Sequence, residues 1–562
     1  MAHIASGSFR KTSLKHVTVL ATIAALASMA RSPTLAQRAD SVVRPKQIEV
    51  DWPAAARDAL ALSPDLAAPP AKSRAPAEQR SRATKRLQSY VVKEGMEPLA
   101  NLSEYVSPYY PAAADAPVPV LAPVDPTQLL RRQPPGAKAQ ARARSASLGP
   151  SITALDMVSD AAGYEMAATV SAGLLNRLGI TARFKPQLFI GGSSVTYSDR
   201  QAGELVADMQ NDIQGLRRIE GPEEVTYVYR KYGVPYFVSL DCTRTGEKDV
   251  LTCTQADAIV REILKSLRLI GGGPRAMEER RSAATPPSHP TKVDPHFTYH
   301  RPGKLLEGTA ETKSGGVAHQ QIYGNDAILF PLKDVPAFAN SQVFMHGGNC
   351  FSTPGTQDKM VFVAKKPGDR FKRYHCIQNT KELLLQEGNS ENYSYPWSDN
   401  VCEVRNDAGP GECPLSKGHA GQDIRPTKCV GQPAKCPIDI YEVLAVTKGS
   451  ALWKKPPYEN HLRLRADDGT GLYYMYLHMS PDALKGAGMK KGQYVAVWQG
   501  KDVGKVGNFE KALPGRTTAH LHFEIRRPPA DMPEGVGPSL APYYTLIRAY
   551  ERRLSAIGTE VP

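Results

Sequence analysis

Four histidines and one aspartate in the last third of the chain stand at spacings that can do chemistry. Gly418-His419-Ala420-Gly421-Gln422-Asp423 sets an imidazole and a carboxylate four residues apart. Tyr474-Met475-Tyr476-Leu477-His478 closes an alternating apolar stretch on a histidine, and Ala519-His520-Leu521-His522-Phe523-Glu524 carries two more, one residue apart. On a strand, successive side chains point to opposite faces, so His520 and His522 share one face while Leu521 and Phe523 take the other. An apolar sheet can therefore hold two imidazoles towards one point. Two histidines and a carboxylate meet the needs of a catalytic zinc ion, which takes three protein donors and keeps a fourth position for water. The remaining histidines are then available to move protons. The chain has 13 histidines and no HExxH, so the helix-borne zinc peptidase arrangement is absent. His289, His296, His300, His319, His346, His375 and His461 lie in no such context and are expected to be ordinary surface or core residues.

The series HxGxD, YxH and HLHFE resembles the motif set of the lysostaphin-type zinc metallopeptidases, a family of peptidoglycan endopeptidases. Tyr441-Glu442-Val443-Leu444-Ala445-Val446 with Gly449, then Gly492 before Val495, then Gly504 and Gly507, are similar to that family as well. The resemblance covers residues 393–528, about a quarter of the chain. It implies that His419, Asp423 and His522 bind one zinc ion, that His478 and His520 are the catalytic histidines, and that the domain is a small antiparallel β fold with a groove across its sheet. Residues 427–437 depart from the family by inserting Cys429 and Cys436, and Cys402 and Cys413 stand just before His419. Stapled loops around the groove are the expected consequence. Some relatives have lost ligands and only activate other wall hydrolases; all five motif positions are kept here. The expected activity is endopeptidase cleavage of peptidoglycan stems or cross-links. A wall-binding or amidase-activating regulator, or a carboxypeptidase trimming terminal D-alanine, would use the same residues.

The elements that must carry this site begin with an address. Arg10, Lys11, Lys15 and His16 precede an apolar run at residues 17–30 that ends in small residues, the pattern of a secretory signal peptide with cleavage after Ala30 or Ala36. The run is short for a bilayer span, so no stable membrane anchor is expected. Export to the periplasm or the cell exterior turns the eight cysteines towards disulfides rather than thiols. Cys242 and Cys253 flank a turn between two apolar runs, where a hairpin would bring them together as one local candidate pair.

Of 562 residues, 41% are hydrophobic and 22% charged, which excludes wholesale disorder and a polytopic membrane protein. The net charge of +14 suits an anionic neighbour. Peptidoglycan fits that description, whereas no motif supports nucleic acid. After the signal segment 1–36, residues 37–150 form a Pro/Ala-rich basic linker: 16 of the 46 prolines fall in its stretch 41–150, a composition expected to stay largely extended or disordered. Within it, residues 118–124 can pair as an edge strand. Residues 151–270 read as a mixed α/β domain of unassigned role, with helical spacing at 167–178 and 199–216, strands at 225–230 and 236–242, and a helix capped by Thr254 with Asp257. Gly191-Gly192-Ser193-Ser194 lacks the lysine of a phosphate loop and reads as a turn. A second linker spans 271–296, a cysteine-bearing accessory region 297–391, and the peptidase domain with a C-terminal helix 392–562. The fold class expected is therefore multidomain, with a mainly antiparallel β metallopeptidase domain at its C-terminal end.

Overall fold

The computed structural model describes residues 43–67, 95–131, 144–181, 185–197, 216–220, 224–243, 251–274, 297–302, 323–339, 359–363, 373–378, 381–382, 396–401, 419–426, 438–454, 460–507, 519–529 and 539–561. The signal-like segment, residues 199–215, most of the 271–296 linker and Cys350, Cys402, Cys413, Cys429 and Cys436 lie outside them. The chain is mostly β-sheet with few helices, arranged around two large, separate hydrophobic cores. No described helix is long and apolar enough to cross a membrane.

The first core is built on a six-stranded antiparallel sheet. Its strands are β1 (Ile152–Asp160), β2 (Gly163–Val170), β3 (Gln187–Ser193), β4 (Arg217–Glu220), β5 (Glu224–Lys231) and β6 (Val234–Asp241), in the spatial order β1-β2-β3-β6-β5-β4. Alternation gives it two distinct faces. Tyr164, Met166 and Ala168 turn to the core, as do Leu188, Ile190, Val238 and Leu240. Glu165, Ala167, Phe189 and Phe237 turn the other way. Helix α3 (Cys253–Ser266) covers the core face with Ala256, Ile259, Val260, Ile263 and Leu264.

Several sequence expectations give way in this region. The Pro/Ala-rich segment is not extended over its described parts: α1 (Trp52–Leu62) and α2 (Glu97–Val106) are helices that bury Ala55, Ala59, Leu99, Leu102 and Val106 in the first core. Alanine costs almost no side-chain entropy on burial, so low hydrophobicity did not prevent folding. Both helices begin with a proline in the first turn, where its missing N–H costs nothing. Residues 118–124 do supply a strand, Val120–Ala122, which pairs antiparallel with Arg268–Gly271. The predicted helix at 167–178 divides into the end of β2 and a short helix, Ala172–Arg177, capped by Ser171. The cap of α3 is Thr252, in a reciprocal capping box with Gln255, rather than Thr254; Asp257 instead pairs with Arg218 at 2.9 Å. Gly191-Gly192 is strand rather than turn. Cys242 and Cys253 form a disulfide; the bridge between Thr243 and Thr252 brings the end of β6 to the start of α3, so a strand-to-helix junction replaces the expected hairpin.

The second core lies behind an eight-stranded antiparallel sheet. Its members are β7 (Ala337–Ala339), β8 (Gln422–Pro426), β9 (Gly449–Lys454), β10 (His461–Ala466), β11 (Tyr473–Leu477), β12 (Tyr494–Val497) and β13 (Leu521–Arg526), in the order β7-β8-β13-β11-β10-β9-β12, with β14 (Ser539–Leu540) also on β13. Leu521, Phe523 and Ile525 of β13, Tyr474 and Tyr476 of β11, and Leu462 and Leu464 of β10 all point into this core. Helix α4 (Tyr543–Leu554) closes it, with Tyr550 ringed by Phe297, Phe330 and Trp397. Phe297 and β7 thereby tie described residues between 297 and 339 to the same core as β8 and β13.

The opposite face of the second sheet meets the outer face of the first. Arg463 and Tyr473 contact Glu165, Tyr494 joins the same carboxylate, Arg465 pairs with Asp160, and Lys454 reaches Asp241 at 2.9 Å. Phe189 lies under both Lys454 and Arg463, at 4.4 and 4.7 Å from its ring centre. Within the first sheet Gly191 makes room for the Phe237 ring on this face, since a Cβ there would stand 2.5 Å from Phe237 Cε1 and 2.8 Å from the Tyr164 carbonyl oxygen. Gly191→Ala is expected to cost about 1–3 kcal/mol through overpacking, seen as a lowered melting temperature of the full chain; an unchanged melting curve would show that this contact yields freely.

Candidate metal centre

Strand register builds the site. Asp423 on β8 stands directly opposite His522 on β13, and His522 in turn is opposite Leu477 on β11. The apolar side chains of β13 anchor one face, so His522 and Glu524 are held on the other. His419 precedes β8 by one turn of chain and folds back over it. His419 Nε2 lies 3.1 Å from Asp423 Oδ1 and 2.7 Å from His522 Nδ1, and His522 Nδ1 lies 3.2 Å from the same carboxylate oxygen. All three side chains are buried, Asp423 to 1% exposure.

The outer atoms fix which nitrogens face inward. His419 Nδ1 lies 2.9 Å from the carbonyl oxygen of Asn400, and His522 Nε2 lies 2.8 Å from Glu524 Oε1. Both partners only accept, so both outer nitrogens donate, and each ring presents its other nitrogen to the centre. Two imidazole nitrogens 2.7 Å apart cannot both keep bare lone pairs: a proton or a cation must lie between them. Tetrahedral zinc with bonds of about 2.0 Å separates its donors by roughly 3.3 Å; the 3.1 and 3.2 Å contacts to Asp423 nearly match that, and the 2.7 Å between His419 and His522 is shorter. The three residues can hold a metal ion.

Electrostatics agree with that use. Burial raises the Asp423 carboxyl, but His419 and His520 beside it, with hydrogen bonds from His419 and His522, outweigh burial and hold it well below the usual carboxylate range. Burial disfavours a charged His522, yet hydrogen bonds to Asp423 and Glu524 prevail and raise it to about 9. Glu524 is itself pulled far down against its burial by Arg526 and His522.

His520 and His478 complete the cluster. His520 Nε2 lies 3.6 Å from Asp423 Oδ1, and the His478 ring is 4.6 Å from that of His520 and 5.7 Å from that of His522. His478 follows Tyr476, which points into the core, so plain alternation would send its ring into the core too. Instead it adopts φ +63°, a left-handed conformation uncommon outside glycine, and its ring turns to the site. The Gly507 amide donates to its carbonyl oxygen at 2.7 Å, which holds the bend.

All five residues singled out from the sequence are thus brought together. Two supporting residues were missed. Glu524 stands two positions after His522, on the same strand face, a signal that alternation carries. Asn400 gives no signal: it lies 23 residues before Asp423, donates from Nδ2 to Asp423 Oδ2 at 3.0 Å, and accepts from His419. Gly421 leaves room for the Glu524–His522 bond, because a Cβ there would stand 2.8 Å from His522 Nε2 and 2.6 Å from Glu524 Cγ. In comparisons with known proteins, no family model, no curated protein and no solved structure matches the chain significantly.

His522→Ala should lose stoichiometric metal, His520→Ala should retain it, and Glu524→Gln should weaken binding about 10–100-fold; elemental analysis after dialysis against graded chelator reads all three, and equal loss from His520→Ala would refute the division of roles. In protein stripped of metal, the raised His522 contributes stability that is present in full below pH 6.5 and lost as pH rises through about 9. The depressed Asp423 contributes above its ordinary value and is lost in acid, as pH falls through the lowered one. A metal must displace the His522 proton, so metal affinity should rise from pH 7 to 9 with about one proton released at pH 7. Calorimetry in buffers of different ionisation enthalpy measures that release.

Proposed function

We propose that the chain is an exported zinc metalloendopeptidase that hydrolyses peptide bonds in the stems or cross-links of peptidoglycan. One observation carries the reading: three inward-facing donor atoms, from His419, Asp423 and His522, converge beside two further histidines that no ligand role requires. Zinc held by those three residues would supply Lewis-acid polarisation and water acidified to a pKa near 7.

The chain's own groups then account for the proton traffic. His520 sits against Asp423 with its Nε2 turned to the centre, positioned to take a proton from the attacking water and return it to the leaving amine. Such general acid–base assistance is typically worth about 10²–10⁴ in rate. His478, on the other side of His520, is placed to donate to the negative charge that develops on the scissile carbonyl oxygen. Asn400 and Glu524 hold His419 and His522 in the tautomers that keep their inner nitrogens free of a second role. The basic balance of the chain and its signal-like start support an anionic polymer outside the cytoplasm as substrate.

The test is mass spectrometry of products after incubating the zinc-loaded mature chain with purified peptidoglycan. Monomeric stem peptides released from cross-linked dimers, and suppressed reversibly by chelator, are expected. Release of terminal D-alanine alone would make the protein a carboxypeptidase. Activity that survives complete metal removal would overturn the zinc mechanism.

A further inference from the structure

The face of the second sheet that carries the metal ligands also carries a line of cations. Strand register places them. Glu524 lies opposite Met475, which lies opposite Arg463; Arg526 lies opposite Tyr473, which lies opposite Arg465. Lys454 is opposite His461 at the end of β10. With strands about 4.8 Å apart, Arg463 stands roughly 10 Å from Glu524, on the same side of the sheet. Lys454, Arg463 and Arg465 therefore form a cationic platform directly beside the site.

That platform is covered by acids from the first domain. Glu165 meets Arg463, Asp160 meets Arg465, and Asp241 and Glu224 face Lys454 at 2.9 and 3.9 Å. All three cations are buried. The division of sign is complete: the platform supplies bases and the cover supplies acids. Apolar contacts accompany them: Leu452 of the platform side meets Ala167, Phe189, Val228 and Phe237, and at the edge of the joint Tyr197 enters the second core beside Tyr323. The two large cores lie elsewhere, each on the far face of its own sheet. An interface this polar between two domains with separate cores resembles a transient protein–protein contact, for which relative motion is the default expectation. Parting it would return the paired charges to water together with the small cluster around Phe189.

We propose that Lys454, Arg463 and Arg465 form a subsite for a carboxylate-bearing peptide polymer, and that Asp241, Glu165 and Asp160 of the first domain occupy it as an internal mimic in this conformation. The proposal rests on the peptidase reading for the identity of the polymer, since peptide stems carry carboxylates. The structure assigns the first domain a role: it competes with substrate for the face that bears the metal ligands. Binding to a platform exposed in only a fraction of molecules is weakened by that fraction.

The two sides of the interface give opposite expectations, which makes the idea testable in the full mature chain. Acid-side variants, Glu165→Gln with Asp160→Asn, loosen the cover and leave the platform intact. Base-side variants, Arg463→Gln with Arg465→Gln, loosen the cover and destroy the platform. Hydrogen exchange at β2 and β10 should rise in both sets. Binding to insoluble peptidoglycan, and to poly-L-glutamate as a plain polycarboxylate probe, should tighten about tenfold or more in the acid-side set and not in the base-side set. The single rim variant Asp241→Asn should tighten binding by a smaller factor and guards against misfolding of the double variant. Equal tightening in both sets would show a cover with no subsite, and no tightening in any acid-side variant would show a permanent structural joint; either result overturns the proposal. Tighter binding by acid-side variants without release of wall peptides would leave the subsite standing and remove the peptidase reading.

Discussion

A carboxylate removed from water has to be answered by charge, and Asp423 is the point on which the site turns. It is 1% exposed, and an uncompensated ion in such a place costs several kcal/mol. Three imidazoles surround it, from His419, His520 and His522, and the Asn400 side chain donates to its second oxygen. The same demand passes outward. His522 needs a partner for its other nitrogen and finds Glu524; Glu524 needs a cation and finds Arg526. Each group is held by the one beyond it, so the inner donor atoms are presented without freedom to turn. Binding a cation at the centre replaces a proton shared among groups already in position, which keeps the reorganisation small.

Most described residues of the sheet that carries these groups are buried, whichever face they take. One side packs Leu521, Phe523, Tyr474 and Tyr476 into a core, and the other divides between the metal centre and the joint with the first domain. Antiparallel sheets usually show one apolar and one polar face, and this one does so in sequence; yet much of its polar face is buried as well. Arg463, Arg465 and Lys454 lie there only because Glu165, Asp160 and Asp241 meet them. Buried ion pairs add little net stability compared with apolar packing, while an unmatched member is strongly destabilising. The ion pairs of the joint therefore add less stability than the two hydrophobic cores on either side of it.

The metal centre was legible in the sequence because its residues sit in short, periodic stretches. His520 and His522 share a face by alternation alone, and the motif order places His419, Asp423 and His478 beside them. Asn400 was not legible, since it reaches the site through tertiary folding from a segment with no periodic signal. The first domain was misread where local composition competed with packing. Residues 52–62 look like linker by their alanines and proline, but a helix of small residues packs closely and needs little apolar area per residue to be ordered. At residues 167–178 the helical spacing was real only from Ala172 onward; before it, Ala167 and Ala168 are drawn into β2 by pairing with β3, a tertiary demand that outweighs alanine's preference for helix.

His478 shows where sequence pattern and geometry part most clearly. By alternation it belongs on the core face, next in line after Tyr476, and a histidine there would have to bury an imidazole among Tyr474, Tyr476 and Phe523. A left-handed residue costs of the order of 1–3 kcal/mol, and the structure bears that cost at this one position in β11's exit. What the bend achieves is a ring beside His520 that belongs to neither strand's regular pattern, so its position can be set by the Gly507 contact independently of the ligands on β8 and β13. Asp423 and His522 take their places from sheet register, and His419 and His520 from the residues that lead into those strands; His478 takes its place from backbone strain. That separation lets a proton donor be aimed at the centre without disturbing the strand pairing that holds the ligands, and it explains why the strain stands at a histidine rather than at a glycine.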